Sequence, residues 1–121
     1  MTPNQPADPG LALGELEQLV LLTVLHLGEE AYGVPVLEFL EEKANRRLSR
    51  GALYTVLDRL EAKGHLKSHL GEALAERGGR PRRYYQVSGR GLAALSTARR
   101  TLLALWRGVE GDLAGGIRGI R

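Results

Sequence analysis

The sequence predicts a mainly α fold with one small β-hairpin. Three observations predict it. Apolar residues recur at the helical period in three consecutive segments between residues 13 and 64. Just after Gly64 the pattern switches to alternation, as strands require, and after Ser88 the helical rhythm returns.

The elements follow in order. Residues 1–11, with Pro3, Pro6, Pro9 and Gly10, read as a flexible lead-in. A first helix over 13–27 carries Leu16, Leu19, Val20, Val24 and Leu27, and Leu21, Leu22 and Leu25 widen its stripe so far that cover on two sides is expected. Gly28 ends it. Ala31, Tyr32 and Gly33 make a short extended link, and Pro35 fits the first turn of a short acidic second helix bearing Val36, Leu37 and Leu40 as far as Ala44. Ser49 is a natural cap for a third helix whose buried face is Leu53, Val56, Leu57 and Leu60 and which stops at Gly64. Leu66, Ser68 and Leu70 alternate with His65, Lys67 and His69, and Arg83, Tyr85 and Val87 with Tyr84 and Gln86, giving a hairpin with a long tip over 71–81. Ser88 caps a final helix over 89–114 with Leu92, Leu95, Leu102, Trp106, Val109 and Leu113, about 26 residues or roughly 39 Å long. Residues 115–121 form a glycine-rich tail expected to fray. Three helices, a hairpin and a capped, basic third helix make a winged helix-turn-helix domain over 12–88, with the third helix entering the major groove and the hairpin as the wing.

Composition narrows the function. At 121 residues the chain has room for one domain, and 43% hydrophobic with 26% charged residues describes a chain that folds. There is no cysteine, so thiolate metal sites, disulfides and cysteine nucleophiles are excluded; with no signal peptide or membrane span legible, the cytoplasm is expected. Residues 1–44 hold eight acids and one base, a net charge of −7, whereas 45–121 hold sixteen bases and six acids, a net of +10. That asymmetry fits a polyanionic partner, and equally an ordinary solvated surface with uneven charge, until the local patterns are read.

Two clusters carry the candidate chemistry. If the leucine face of the third helix is inside, Ser49, Arg50, Gly51, Tyr54 and Thr55 lie at or near its N-terminal end, with Arg50, Gly51, Tyr54 and Thr55 turned outward. Arg50 in a first turn opposes the helix dipole by about 0.3–1 kcal/mol, which a phosphate or guanine would offset. Tyr54 suits a thymine methyl or a phosphate oxygen, or else packs on the wing. In the wing, Arg77, Gly78, Gly79, Arg80, Pro81, Arg82 and Arg83 put four guanidiniums among seven residues, and like charges at a tip gain nothing unless a phosphate or a minor groove receives them. Catalysis lacks a candidate: no hydrolase, zincin, P-loop or dinucleotide fingerprint is present, no cofactor or metal is implied, and His65 and His69 on a strand stand about 13 Å apart. His26, alone on an apolar helix, reads as packed or at the rim.

The segments Ala31-Tyr32-Gly33, Leu48-Ser49-Arg50-Gly51-Ala52-Leu53-Tyr54, Arg59-Leu60-Glu61 followed by Gly64, and Gly78-Gly79-Arg80-Pro81-Arg82-Arg83-Tyr84-Tyr85 resemble the signature of the PadR family of bacterial transcriptional regulators. The resemblance spans residues 16–95. It implies a winged-helix DNA-binding domain with a C-terminal dimerisation helix, acting mostly as a repressor released by small molecules, and in this chain the short subfamily with a single C-terminal helix. The family often has proline where Arg50 and Thr55 stand here, both on the reading face, so no operator is carried over.

The expected function is a homodimeric repressor on a near-palindromic double-stranded operator, with Ser49, Arg50, Gly51, Tyr54 and Thr55 at the bases and Gly79, Arg80 and Arg82 at the backbone or minor groove. The alternative is a winged helix used for protein interaction, with the acidic first half as contact surface. One domain covers only the start of the last helix, so Leu102, Leu103, Trp106, Val109 and Leu113 would stay exposed in a monomer and are expected to dimerise against the partner's copy and the first helix. In relatives, a tryptophan on this helix can stack flat ligands. Trp106 is therefore either an interface anchor or a contact for a small planar aromatic inducer.

Overall fold

The computed structural model describes residues 12–73, 78–109 and 111. Four helices and one antiparallel hairpin follow in the order α1 (Glu15–Leu27), α2 (Gly33–Ala44), α3 (Arg50–Ala62), β1 (Leu66–Ala73), β2 (Pro81–Val87) and α4 (Gly89–Trp106), a winged helix with its core between α1, α2, α3 and the inner face of the hairpin.

Each helix has a physical start and stop. The Gly14 N–H donates to Glu17 Oε1 at 3.0 Å, satisfying one otherwise free group at the head of α1. Gly28 ends α1 with φ of 57°, and the chain then makes a single 3-10 turn, Gly28–Glu30, ahead of the link expected at Ala31, Tyr32 and Gly33. Of that link only Tyr32 is extended, and Gly33 already begins α2. Asn45, left-handed at φ 53°, closes α2, and the Arg46 N–H reaches back to the Leu40 carbonyl at 3.0 Å. The Ser49 hydroxyl accepts from the Ala52 N–H at 3.0 Å, the expected cap of α3.

Burial follows the apolar pattern. Val20, Leu21, Val36, Leu40, Leu53, Leu57 and Leu60 are fully buried, each worth about 1.5–3 kcal/mol. Leu22 and Leu25 on α1 stay 45% exposed, so this domain covers only part of the wide stripe.

In the hairpin Leu66 pairs with Val87, Ser68 with Tyr85 and Leu70 with Arg83, and after a register shift Ala73 pairs with Pro81. Both strands therefore run further into the tip than the alternation over 65–70 and 83–87 indicated, because the irregular pairing breaks the period that marks a strand. Gly78 and Gly79, at φ 68° and 77°, lead into β2. A third segment adds to the sheet edge: the Tyr85 N–H donates to the Ala31 carbonyl at 2.8 Å.

The passage from wing to α4 is rigidly built. Ser88 donates its hydroxyl to the Gly64 carbonyl at 2.6 Å, accepts from the Gly91 N–H at 3.0 Å, and gives its own N–H to the His65 carbonyl at 3.0 Å. Gly91 is obligatory there, since a Cβ would lie 2.3 Å from the His65 carbonyl oxygen. At its other end α4 is shorter than the expected 89–114: it stops at Trp106, Arg107 leaves helical geometry at ψ 131°, and Gly108 takes φ 81°. Glycine's weak helix propensity and freedom at positive φ explain the stop, which the apolar rhythm through Val109 and Leu113 had masked. Val109 accordingly sits in a turn, its N–H on the Trp106 carbonyl at 2.9 Å, and Leu113 lies outside the described residues.

One ion pair locks α1 to α3. Glu17, buried on α1, accepts from Lys63 Nζ at 2.9 Å at the end of α3. Burial pushes its carboxyl up, but the Gly14 N–H, the Lys63 hydrogen bond and charge, and Arg59 outweigh that, and the net shift is downward. A carboxylate held below its unfolded value stabilises above that value, and the stabilisation is lost as pH falls through the folded one. Lys63→Met, which leaves Glu17 half-satisfied, is expected to cost about 1–3 kcal/mol at neutral pH. Urea unfolding at several pH values should show that deficit shrinking in acid, where Glu17 is protonated in both proteins.

Candidate nucleic-acid interface

With Leu53, Val56, Leu57 and Leu60 inside, α3 turns Arg50, Gly51, Tyr54 and Thr55 outward, and Ser49 is exposed just ahead of them. Thr55 Oγ1 donates to the Gly51 carbonyl at 2.9 Å, which orients its methyl and hydroxyl on the helix surface. Tyr54 is 40% exposed, and its hydroxyl end rests on Gly33, where a Cβ would stand only 2.5 Å from the oxygen. The first residue of α2 is thus a seat for the α3 tyrosine, and only glycine provides it.

Arg50 and Tyr54 share one cleft with the wing. About 530 Å³ in volume, it is bounded by Tyr32, Val34, Arg50, Tyr54, Arg80 and Arg82 among others. Arg80 and Gly79 are exposed at the wing, while Ser49, Gly51 and Thr55 lie on α3 outside the cleft lining. Four arginines, Arg50, Arg80, Arg82 and Arg83, and two tyrosines on one concave surface present donors and flat apolar faces to an anionic, stacked ligand. Arg77 lies outside the described residues.

Not all wing arginines are equally free. Arg82 sits over the Tyr32 ring, 4.2 Å from its centroid. Tyr32 meets Tyr84 edge-on at 5.5 Å, and Tyr84 stacks on its cross-strand partner His69 at 5.6 Å. Its interaction with the Tyr84 side chain, helped by the electrostatic influence of Tyr32, Tyr84 and Glu30, holds the Arg82 guanidinium above its ordinary pKa against the opposing effect of desolvation. Gly71 lets the Tyr84 ring lie flat, since a Cβ there would come within 2.6 Å of it. On the opposite face Arg83 donates to Ser68 Oγ at 2.9 Å, and Ser68 donates to Glu61 at 2.7 Å, tying the wing to the end of α3. Beneath them Tyr85, its phenol pushed up to about 12 chiefly by burial, stays a neutral hydroxyl.

Tyr32 is the residue that the sequence did not single out for this role. It stands in the link before α2, some fifty positions from its ring partner, and only the order aromatic, then glycine, at a helix start hinted at a seat. The expected dimerisation residues lie elsewhere: Leu102, Leu103, Trp106 and Val109 are all exposed at the far end of the chain. They are joined by Leu105, 69% exposed, which the period of the stripe had left out. His26 is exposed at the rim of α1, with its ring 5.0 Å from Phe39.

Residues 21–97 match the model of the transcriptional regulator PadR-like family. Among solved structures, the chain is similar to a PadR family transcriptional regulator from Eggerthella lenta, at 30% identity over 82% of this chain and 86% of that one, with a TM-score of 0.61. It is also similar to a PadR-like transcription factor from Bacteroides fragilis, at 28% identity over 80% and 88% of the two chains with a TM-score of 0.64. A PadR family regulator from Clostridium difficile shares the fold at 22% identity, covering 83% and 99%, with a TM-score of 0.65. No match was found among curated proteins.

The aromatic seam makes a prediction of its own. Tyr32→Leu should release Arg82, losing the ring-current shift of its Nε–Hε resonance and lowering stability by about 0.5–1 kcal/mol, whereas Tyr32→Phe keeps both. Side-chain NMR of the two variants checks it.

Proposed function

Because the chain belongs to the PadR-like family of transcriptional regulators, we propose that it is a homodimeric repressor that reads a near-palindromic operator with α3 and grips the backbone with its wing. The family's members are DNA-binding regulators and not enzymes. The observation that carries the finer reading is the shared cleft, which sets Arg50 and Tyr54 of α3 beside Arg80 and Arg82 of the wing. Ser49, Arg50, Gly51, Tyr54 and Thr55 form the base-facing edge. Gly79 and Arg80 meet phosphate or the minor groove, and Arg82 does so from its station on Tyr32.

Dimerisation rests on apolar exposure. The end of α4 presents Leu102, Leu103, Leu105 and Trp106, and α1 presents Leu22 and Leu25, surfaces that a second copy would cover. Trp106, with Leu102, Leu105 and Val109, lines a shallow hollow of about 210 Å³. A small planar aromatic inducer stacking there between two copies would loosen the operator complex; Trp106 as a plain interface anchor is the simpler role.

Two experiments test this reading. On random duplex DNA a dimer neutralising about six to eight phosphates should show log K falling against log salt with a slope of about −5 to −7, and a slope near zero would instead favour a protein-interaction module. Within that assay, Arg80→Ala should weaken all sequences alike, whereas Arg50→Ala and Tyr54→Ala should relax preference at one or two positions by about 1–3 kcal/mol each. For assembly, truncation after Arg100 removes the exposed leucines and Trp106. Sedimentation should show monomers with poor DNA affinity, and a truncated dimer would refute the interface.

A further inference from the structure

The connector between α2 and α3 delivers Ser49 together with two arginines. Residues 45–49 belong to no helix or strand, and Asn45, Arg46, Arg47 and Ser49 are exposed along it while the half-buried Leu48 packs against the core. Ser49 is extended, at φ −72° and ψ 160°, and its oxygen accepts from the Ala52 N–H at 3.0 Å. Arg46 and Arg47 stand three and two residues ahead of it. Arg46 pairs with Glu15, and Arg47, its side chain 86% exposed, with Glu41 at 3.3 Å. Exposed pairs of this kind are weak and yield to a stronger acidic partner.

A protein kinase takes a hydroxyl from an accessible, extended segment and selects it by the charges around it. Two guanidiniums just N-terminal to an exposed, extended serine suit an acidic cleft, and Gly51, poor in helix propensity, lets the first turn of α3 open to admit the hydroxyl. Thr101 also follows two arginines, Arg99 and Arg100, but lies inside α4, where the helix holds its backbone. We propose that Ser49 is a phosphorylation site for a serine kinase that selects arginines ahead of its target, and that the phosphate releases the protein from DNA. In the transfer, the bond between the γ-phosphorus of a nucleoside triphosphate and its β-bridging oxygen breaks and an Oγ–P bond forms at Ser49. The hydroxyl proton goes to the kinase's carboxylate, and the nucleoside diphosphate leaves.

The phosphate keeps the fold and spoils the contact. Its oxygens take over the Ala52 N–H from the hydroxyl and meet the positive end of the α3 dipole, with Arg50 next in the chain. Toward DNA the same group sets about two negative charges per subunit on the base-facing edge of α3, cancelling as many of the cations that meet phosphate. Only this release rests on the operator reading; the modification itself does not.

For the test, the folded full-length protein without DNA is treated with ATP, magnesium and the catalytic domain of an arginine-directed serine kinase, and tandem mass spectrometry locates the phosphate. Phosphate is expected on Ser49 and not on Thr101, and a kinase directed by acidic flanks should leave Ser49 unmodified. Arg47→Ala should lower kcat/KM for the transfer about tenfold or more, as for one charge pair lost at an interface. The phosphoprotein should melt no lower than the parent. Its affinity for duplex DNA at about 0.1 M salt should fall about fiftyfold or more, the effect of losing two phosphate contacts, and return on treatment with a phosphatase. Kinase treatment of Ser49→Ala should leave that variant's own affinity as it was before. A folded protein that takes no phosphate at Ser49, takes it only in urea, or takes it equally well in Arg47→Ala or from the acid-directed kinase overturns the site. A phosphoprotein that holds DNA as tightly as the parent, or that melts below it, overturns the release. A flat salt dependence of the unmodified protein would sink the operator reading and leave the phosphate on Ser49 standing.

Discussion

The one-sided burial of α3 is the constraint on which the molecule turns. Leu53, Leu57 and Leu60 have no exposed surface at all and Val56 almost none, so the helix has one rotational setting about its axis. A turn of one residue would bring Tyr54 or Asp58 into a core that offers them no compensating groups, at a cost of several kcal/mol against the gain from the leucines. From that setting everything outward follows. Ser49 caps the helix where the connector from α2 delivers it, and the first turn faces solvent with Arg50 at its edge.

The wing is fastened at its base. Below, Tyr85 bonds to Ala31, Ser68 links Glu61 to Arg83, and Ser88 ties Gly64 to α4. Above, Gly78 and Gly79 take positive φ with open space around them, and Arg80 is exposed beyond them. Stiffness at the root fixes where the strand emerges relative to α3.

What could be read from the sequence divides along the range of the interactions. The helices, the Ser49 and Ser88 caps and the buried face of α3 were legible because the apolar period and the capping hydroxyl are local signals. The 3-10 turn after Gly28 and the strand pairing beyond Leu70 were not, because neither leaves a period. The end of α4 was misplaced: the leucine rhythm persists beyond Trp106, but Gly108 breaks the backbone that would carry it. In the candidate site, the outward residues of α3 and the glycine-arginine tip came from local pattern. The seating of Tyr54 on Gly33, of Arg82 on Tyr32, and of Gly91 against the His65 carbonyl are encounters between distant segments, which no spacing in the chain encodes.

The joint at Ser88 has a mechanical consequence. No linker separates the last strand from α4: the residue that leaves β2 is already the cap of the helix, its hydroxyl is spent on the carbonyl at the foot of β1, and Gly91 presses against the next one. The helix and the α3–wing unit therefore behave as one solid piece, like the arm and jaw of a caliper. Torque applied at the Trp106 end reaches α3 as rotation of the whole unit, without being absorbed along the way. Two such arms held together would be a gauge of fixed opening, and the distance they measure would change only by slipping where the arms meet or by bending the arms themselves.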